Sequence, residues 1–517
     1  MHTKKTNTTG REPLDIDLLL LGATGDLAAR KIIPALFERF RIQELDEACC
    51  FLGLARQNLT NAEFISLIDY KVRPFLAEET SDELWQTFIN RWKYMAVSVL
   101  EKQEEQEEQE KKEGRVEKAE KEKKSNPIYT YLRKTCIRVV YLATPPYLFI
   151  QLIHLLGQAQ LFSNNTRIVL EKPLGSDAQS AQAINKAALN YLAEHQIYRI
   201  DHYLGKESVQ NLLALRFGNI LFEPLWRREW ISDVQITLAE DLGLSGRAGY
   251  YDGVGALRDM VQNHLLQLLA IVAMEPPSRM DADSVRDEKL KVFKALKPMT
   301  PERVAQCVVR GQYNTGIIQG KNVLAYAQED GVASTTTTET FVAIKAEIDN
   351  WRWAGVPFYL RTGKRLAHKT TEIIIRFKPL PTQLLPISQF NIGSLNHPNC
   401  LLIRLQPDEI LSFSLMTKKP GDGMRLGAVN LSLDFDDAFS TRRMEAYERL
   451  LLDVMRGELT LFTRADELDA AWQWIDPIIQ AWEQEDDEPK LYTAGTWGPA
   501  AANALINRDG LLWQEQI

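Results

Sequence analysis

The chain reads as α/β plus α+β: an N-terminal Rossmann-like, doubly wound parallel sheet, then a larger C-terminal domain built on a mainly antiparallel sheet flanked by helices. Short, nearly continuous apolar runs such as LDIDLLLL (14–21) alternate with helical spacing through the first two hundred residues, as strands buried on both faces of a parallel sheet do. A glycine-bearing turn, GATGDLAARK (22–31), follows the first of those runs. From about residue 230 the apolar pattern changes to period two, the mark of an antiparallel sheet with one covered face.

Taken in order, CCFLGLA (49–55), IRVVYLAT (137–144) and TRIVLEKP (166–173) are the further strands of the parallel sheet. ISDVQITLAEDLG, RVAQCVVRGQYN, TETFVAIKAEIDN, PFYLRTGKR, TEIIIRFK, CLLIRLQP and EILSFSLMTKK supply the second sheet, with helices at 253–274 and 447–482. At 517 residues the chain is too long for one core. The expected division is a tail over 1–13, a first domain over 14–200 and a second over 201–517. Residues 101–124 interrupt the first domain with ten Glu, eight Lys or Arg and two apolar residues. With no face to bury, that insert is expected to be a solvated excursion.

A net charge of −8 excludes a global basic field for nucleic acid or an anionic membrane. Any anion must therefore be caught by a local cluster of cations. The first residues hold no apolar stretch of signal-peptide length, and no run is long enough to span a bilayer, so a cytoplasmic protein is expected. The five cysteines form neither a CxxC pair nor a metal-ligand spacing. They are expected to be reduced thiols, and no metal is expected.

Gly22 and Gly25 stand between strand and helix, where glycine permits close backbone approach and free amides at the helix start face a pyrophosphate. The spacing is GxxGxxA, with Ala28 in the third position. At the end of the second strand, where a carboxylate holds the ribose of NAD, the chain has Arg56; a guanidinium there suits a 2′-phosphate. NADP is favoured, and use of NAD stays open.

Lys172, in EKPLG, ends a parallel strand where ligands of open sheets collect, and Pro173 is a candidate cis residue. RIDHYLGKE (199–207) gathers His202, Tyr203 and Lys206 around Gly205, a local trap for a dianionic phosphate. RTGKRLAHK adds Lys364 and Lys369. Asp201, ionised among these cations, is suited to fixing the tautomer of a histidine elsewhere. His264 is the candidate, in an apolar helix where the polar trio Gln262, Asn263 and His264 needs partners. Asp259, five residues upstream, lies about 140° away on an ideal helix and is expected to meet a different atom of one ligand.

GATGDLAARK, EKPLG, RIDHYLGKE, GYYDGVGALRDMVQNH and EIDNWRWAGVPFYLRTGKR together resemble the ordered motifs of the glucose-6-phosphate 1-dehydrogenase family. The likeness runs from about Leu18 to Trp513 and includes STTTTETFVAIK, MTKKPG and YERLLLDV. It implies oxidation of D-glucose 6-phosphate at C1 to 6-phospho-D-glucono-1,5-lactone with hydride transfer to NADP, the first oxidative step of the pentose phosphate pathway.

Carried over by position, the resemblance makes His264 the general base and Asp201 its partner. It gives His202, Tyr203 and Lys206 the substrate phosphate, and Glu240, Asp259 and Lys364 the sugar, with Lys369 a weaker member. Gly22, Ala23, Thr24, Gly25, Asp26, Leu27, Ala28, Lys31 and Arg56 take the cofactor, and Lys172 serves both ligands. Asp241 stands where many relatives have proline. Ser412 and Ser414 replace the basic residues that line a second, structural NADP site in some members, so that site is expected to be missing. A homodimer or homotetramer is implied. The readings set against this one are a related oxidoreductase of an unphosphorylated sugar and a cofactor-sensing protein without turnover.

Overall fold

In a computed structural model of the chain, residues 12–97, 128, 131–133, 136–244, 246, 248–382, 384, 399–434, 442–484 and 487–515 are described. The Glu/Lys insert lies outside them. The chain divides into two units. The first comprises Met1–Lys206, Asp281–Asp283 and Met444–Ala465; the second comprises Glu207–Met280, Ser284–Arg443 and Asp466–Ile517.

The first unit is built on β1 (Ile16–Leu21), β2 (Cys50–Ala55), β3 (Trp92–Ala96), β4 (Ile137–Leu142), β5 (Thr166–Leu170) and β6 (Ile197–Ile200). Their order is β3-β2-β1-β4-β5-β6, every neighbouring pair parallel. Strand order therefore reverses between β1 and β4, the switch point where open α/β sheets bind ligands. All six residues of β1 are buried, which explains its unbroken apolar run. Its one charge, Asp17, is satisfied by the guanidinium of Arg133 at 2.9 Å and that residue's backbone N–H at 2.6 Å.

The two-residue strand Phe462–Thr463 pairs antiparallel with β6. Beside it in sequence, helix Ala446–Arg456 also belongs to the first unit. Buried Arg39 bonds Glu44 at 2.9 Å and this helix's Glu448 at 3.0 Å. The sequence reading had placed that helix in the C-terminal domain, since nothing local shows that the chain returns.

The second unit carries a nine-stranded sheet in the order Leu426–Asp434, Ile410–Lys418, Cys400–Gln406, Thr370–Phe377, Ile231–Ala239, Pro357–Gly363, Phe341–Glu347, Val308–Asn314, Lys490–Thr493. It is mainly antiparallel. The exceptions are Pro357–Gly363 beside Ile231–Ala239 and Lys490–Thr493 beside Val308–Asn314, both parallel. RVAQC, expected as strand, is instead the end of helix Pro301–Cys307. Thr300 caps it, accepting from the Arg303 N–H, and Pro301 takes its first turn. Among the described residues no helix is long and apolar enough to cross a membrane.

Candidate active site

Gly22 leaves β1 with φ +85°, and a Cβ there would collide with the carbonyl oxygen of Ala143 after β4. Glycine is thus required at the switch point by both backbone angle and space. The turn is tied to β2: the Gly22 and Ala23 N–H groups donate to Leu54 O at 2.8 and 3.2 Å. Gly25 donates to Gly22 O at 2.9 Å, and Ala29 donates back to Gly25 O at 3.2 Å. The amides of Asp26, Leu27 and Ala28 precede that first intrahelical bond and form the helix's anion-facing end.

The helix is wide over Ala28–Ile32, where bonding runs five residues back, before narrowing into Ile33–Arg41. Thr24 offers its carbonyl to Lys71 at 2.9 Å, and exposed Asp26 pairs with Arg30 at 2.6 Å. Lys31 lies 3.6 Å from Glu445. Arg56 is exposed directly after β2. A pyrophosphate at the helix start and a phosphate beside Arg56 fit these groups.

Of the crowded stretch 199–207, one cation has a structural task. Arg199 is fully buried, clasps Glu194 at 2.6 and 3.0 Å, and donates to Asn185 at 2.8 Å. The loop after it is folded by Asp201, whose carboxylate accepts the Tyr203 N–H at 2.9 Å while its carbonyl accepts that of Leu204 at 3.1 Å. His202, Tyr203 and Lys206 are thereby gathered. The Lys206 ammonium lies 3.6 Å from the Tyr203 ring centroid, and the His202 and Tyr203 rings are 5.0 Å apart. Gly205 lies within that turn. It lacks positive φ, and is needed because a Cβ would meet Ala446 O at 2.8 Å and Leu450.

At the end of β5, the Lys172–Pro173 peptide is cis. Glu171 beside it was not singled out from sequence. It is buried, accepts the Tyr141 hydroxyl at 2.5 Å, and is also bonded by Tyr447. Burial pushes its carboxyl up to about 7, against the pull of those hydroxyls and Lys172.

In the second unit, His264 is fully buried on a helical stretch, Leu257–Leu265, that is wide throughout. The Leu266 N–H reaches Val261 O, five residues back. Residues five apart return near the same face of such a helix, so the 140° separation of Asp259 from His264 is corrected: it assumed an α-helical pitch. Asn263 accepts the His264 N–H at 2.6 Å and donates to Arg258 O at 3.4 Å. Glu339 anchors the start of the stretch, accepting the Leu257 N–H at 2.9 Å, and a Cβ on Gly255 would collide with that carboxylate.

Glu240 and Lys364 meet at 2.5 Å from adjacent strand ends, held by Glu240 N–H to Gly363 O and Leu366 N–H to Glu240 O, both 2.9 Å. Asp241, the unusual neighbour, has its carboxylate 3.4 Å from Gln319. The Lys364 ammonium also lies 4.9 Å from the ring centroid of Tyr251. Tyr251 was missed by the sequence reading, though its doublet in GYYDG stood open to view. Its buried hydroxyl has no hydrogen-bond partner among the described residues. Burial, with Asp259, Glu339 and Glu240 nearby, holds it well above the ordinary tyrosine range. Lys369 is exposed, and among the described residues no ion pair joins it to this group. Ser412 and Ser414 are bonded across strands to Ser432 and Asn430.

Comparison with known proteins accounts for both units. Residues 19–211 match the family model "Glucose-6-phosphate dehydrogenase, NAD binding domain", and residues 213–514 match "Glucose-6-phosphate dehydrogenase, C-terminal domain". The glucose-6-phosphate 1-dehydrogenases of Rhizobium meliloti and Mycolicibacterium smegmatis are 48% and 46% identical, each alignment covering 97% of this chain and 98% of the relative. The crystal structure of glucose-6-phosphate 1-dehydrogenase from Mycobacterium avium superposes with a TM-score of 0.79 at 34% identity, over 98% of this chain and 99% of that one. A glucose-6-phosphate dehydrogenase in complex with its substrate glucose-6-phosphate gives 0.81 at 32%, over 98% and 100%. With both halves matched nearly end to end, the chain belongs to the glucose-6-phosphate dehydrogenase family.

Proposed function

We propose that this chain oxidises D-glucose 6-phosphate at C1 to 6-phospho-D-glucono-1,5-lactone with NADP as acceptor. The observation that carries the reading is the extent of the family match, 19–211 and 213–514, so both the NAD binding domain and the C-terminal domain of the family are represented. NADP supplies the hydride acceptor when bound. Every other task falls to side chains.

His264 takes the proton of the C1 hydroxyl as the C–H bond breaks, and Asp201 is assigned as the carboxylate that supports it. Lys206, His202 and Tyr203 hold the phosphate, fixing one end of the sugar. Glu240, Asp259 and Lys364 orient its hydroxyls, with Lys369 at the margin. Lys172 contacts both ligands. The helix-start amides and Arg56 take the cofactor phosphates, with Lys31 nearby.

Absorbance at the reduced-nicotinamide band tests the whole. Turnover is expected with glucose 6-phosphate and not with equal glucose; equal rates would reject the phosphate trap, and none with either would reject an enzyme. Arg56→Ala should lower kcat/KM for NADP about tenfold or more, the value of a charge-assisted contact, and barely change that for NAD. Equal losses with both cofactors would remove Arg56 from the 2′-phosphate.

The protein is placed in the cytoplasm as a homo-oligomer. Five free cysteines suit a reducing compartment. Support for assembly comes from the edge strand Leu426–Asp434, whose Val429, Leu431 and Leu433 are 47, 61 and 43% exposed and share one face. Leu431→Lys is expected to lower the mass found by light scattering; an unchanged oligomer would exclude this edge.

A further inference from the structure

Glu171 has no part in the chemistry above, yet it lies among groups that do. It follows β5 directly, one residue before Lys172, and is 6% exposed. Two hydroxyls converge on it: Tyr141 from β4 at 2.5 Å, and Tyr447 from helix Ala446–Arg456. The Tyr447 ring is itself 6.1 Å from the His202 ring, with planes within 15°. Burial and the neighbouring carboxylates of Glu171 and Asp201 hold the Tyr447 hydroxyl well above its ordinary range, so it stays a donor. All these residues belong to the first unit.

A buried carboxyl is costly unless it is bonded on every side, and here one of its two anchors, Tyr447, carries the ring that stacks on His202. We propose that Glu171 is a positioning residue of the substrate site: it fixes Tyr447, and through that ring His202, while setting the local charge beside Lys172. The inference rests on the reading of His202 and Lys172 given above.

The charge it sets varies with pH. The carboxyl is raised from its ordinary 4.5 to about 7 by burial. The groups facing it are the Tyr141 and Tyr447 hydroxyls and the Lys172 ammonium, with Asp201 and His202 beyond Tyr447. Protonated in both folded and unfolded chains below about 4.5, the group contributes stability there that is lost as pH rises through about 7. Above 7 a carboxylate stands near the place proposed for an anionic substrate.

The test compares wild type, Glu171→Gln and Glu171→Ala in steady-state kinetics with glucose 6-phosphate and NADP from pH 6 to 8. The ratio of KM in Glu171→Gln to KM in wild type cancels titration of the substrate. It should be near one at pH 6 and fall about three- to tenfold by pH 8, the effect of one partly screened charge. Glu171→Ala should raise KM about tenfold at pH 6, by more than it lowers kcat, as expected when a positioning contact is lost, and by less at pH 8, where it also removes the carboxylate charge. A constant ratio together with an unchanged alanine variant overturns the proposal. If the alanine variant does not fold, the glutamine ratio alone decides.

The melting temperature supplies a readout free of substrate. The Tm of Glu171→Gln relative to wild type should rise between pH 5 and 8; a flat difference overturns the ionisation. Failure of wild type to turn over would strike the functional reading instead, and leave the melting comparison standing.

Discussion

Asparagine in place of His264 is expected to lower kcat by about 10²–10⁴, the usual contribution of a general base, with KM for glucose 6-phosphate near the wild-type value. The residue is fully buried in a stretch whose other buried side chains are Leu257, Met260, Val261, Gln262 and Leu265, where a polar group costs free energy unless it is bonded. Asparagine keeps a polar group of smaller volume and cannot take the proton. His202 and Lys206, the proposed holders of the phosphate, belong to the other unit. Rates measured beside a melting curve separate lost chemistry from lost structure. Turnover within a few-fold of wild type would remove His264 as the base.

What sequence made legible was whatever depends on short-range pattern. The unbroken burial of β1 shows as LLLL, and the need for Gly22 shows as a glycine between strand and helix. β3, Trp92–Ala96, was not proposed, because a five-residue strand with exposed Lys93 at its second position looks like a loop. Leu426–Asp434 was missed although its alternation was present. Helix pitch was assumed rather than read: periodicity does not distinguish an α-helix from one widened to five-residue bonding, so the 140° between Asp259 and His264 rested on the wrong pitch. Residues gathered by tertiary contact stayed hidden. Tyr447 lies some 240 positions from His202, and no local signal announces that its ring packs there. Glu171 and Tyr251 were in quoted motifs, but their burial, which gives them their properties, is a fact of packing alone.

Lys206→Ala should give the opposite kinetic pattern to His264→Asn: KM for glucose 6-phosphate up by about 10- to 100-fold, the range for one hydrogen bond to a charged group, with kcat far less affected. The ammonium is pre-positioned over the Tyr203 ring, in a loop that Asp201 folds through the Tyr203 N–H. Its conformational freedom is thus already reduced before any phosphate arrives, which raises its value as a contact. In a chain of net charge −8, an anion gains little from the protein at large and depends on such local cations. Lys206→Arg keeps the charge but replaces a compact ammonium with a planar fork that the same ring contact does not place identically, so partial recovery of KM is expected. Isothermal binding of substrate to each variant, set beside its kinetics, resolves affinity from turnover. An alanine variant that binds and turns over like wild type would show that the trap lies elsewhere, because a uniform binding contact cannot be removed without raising KM.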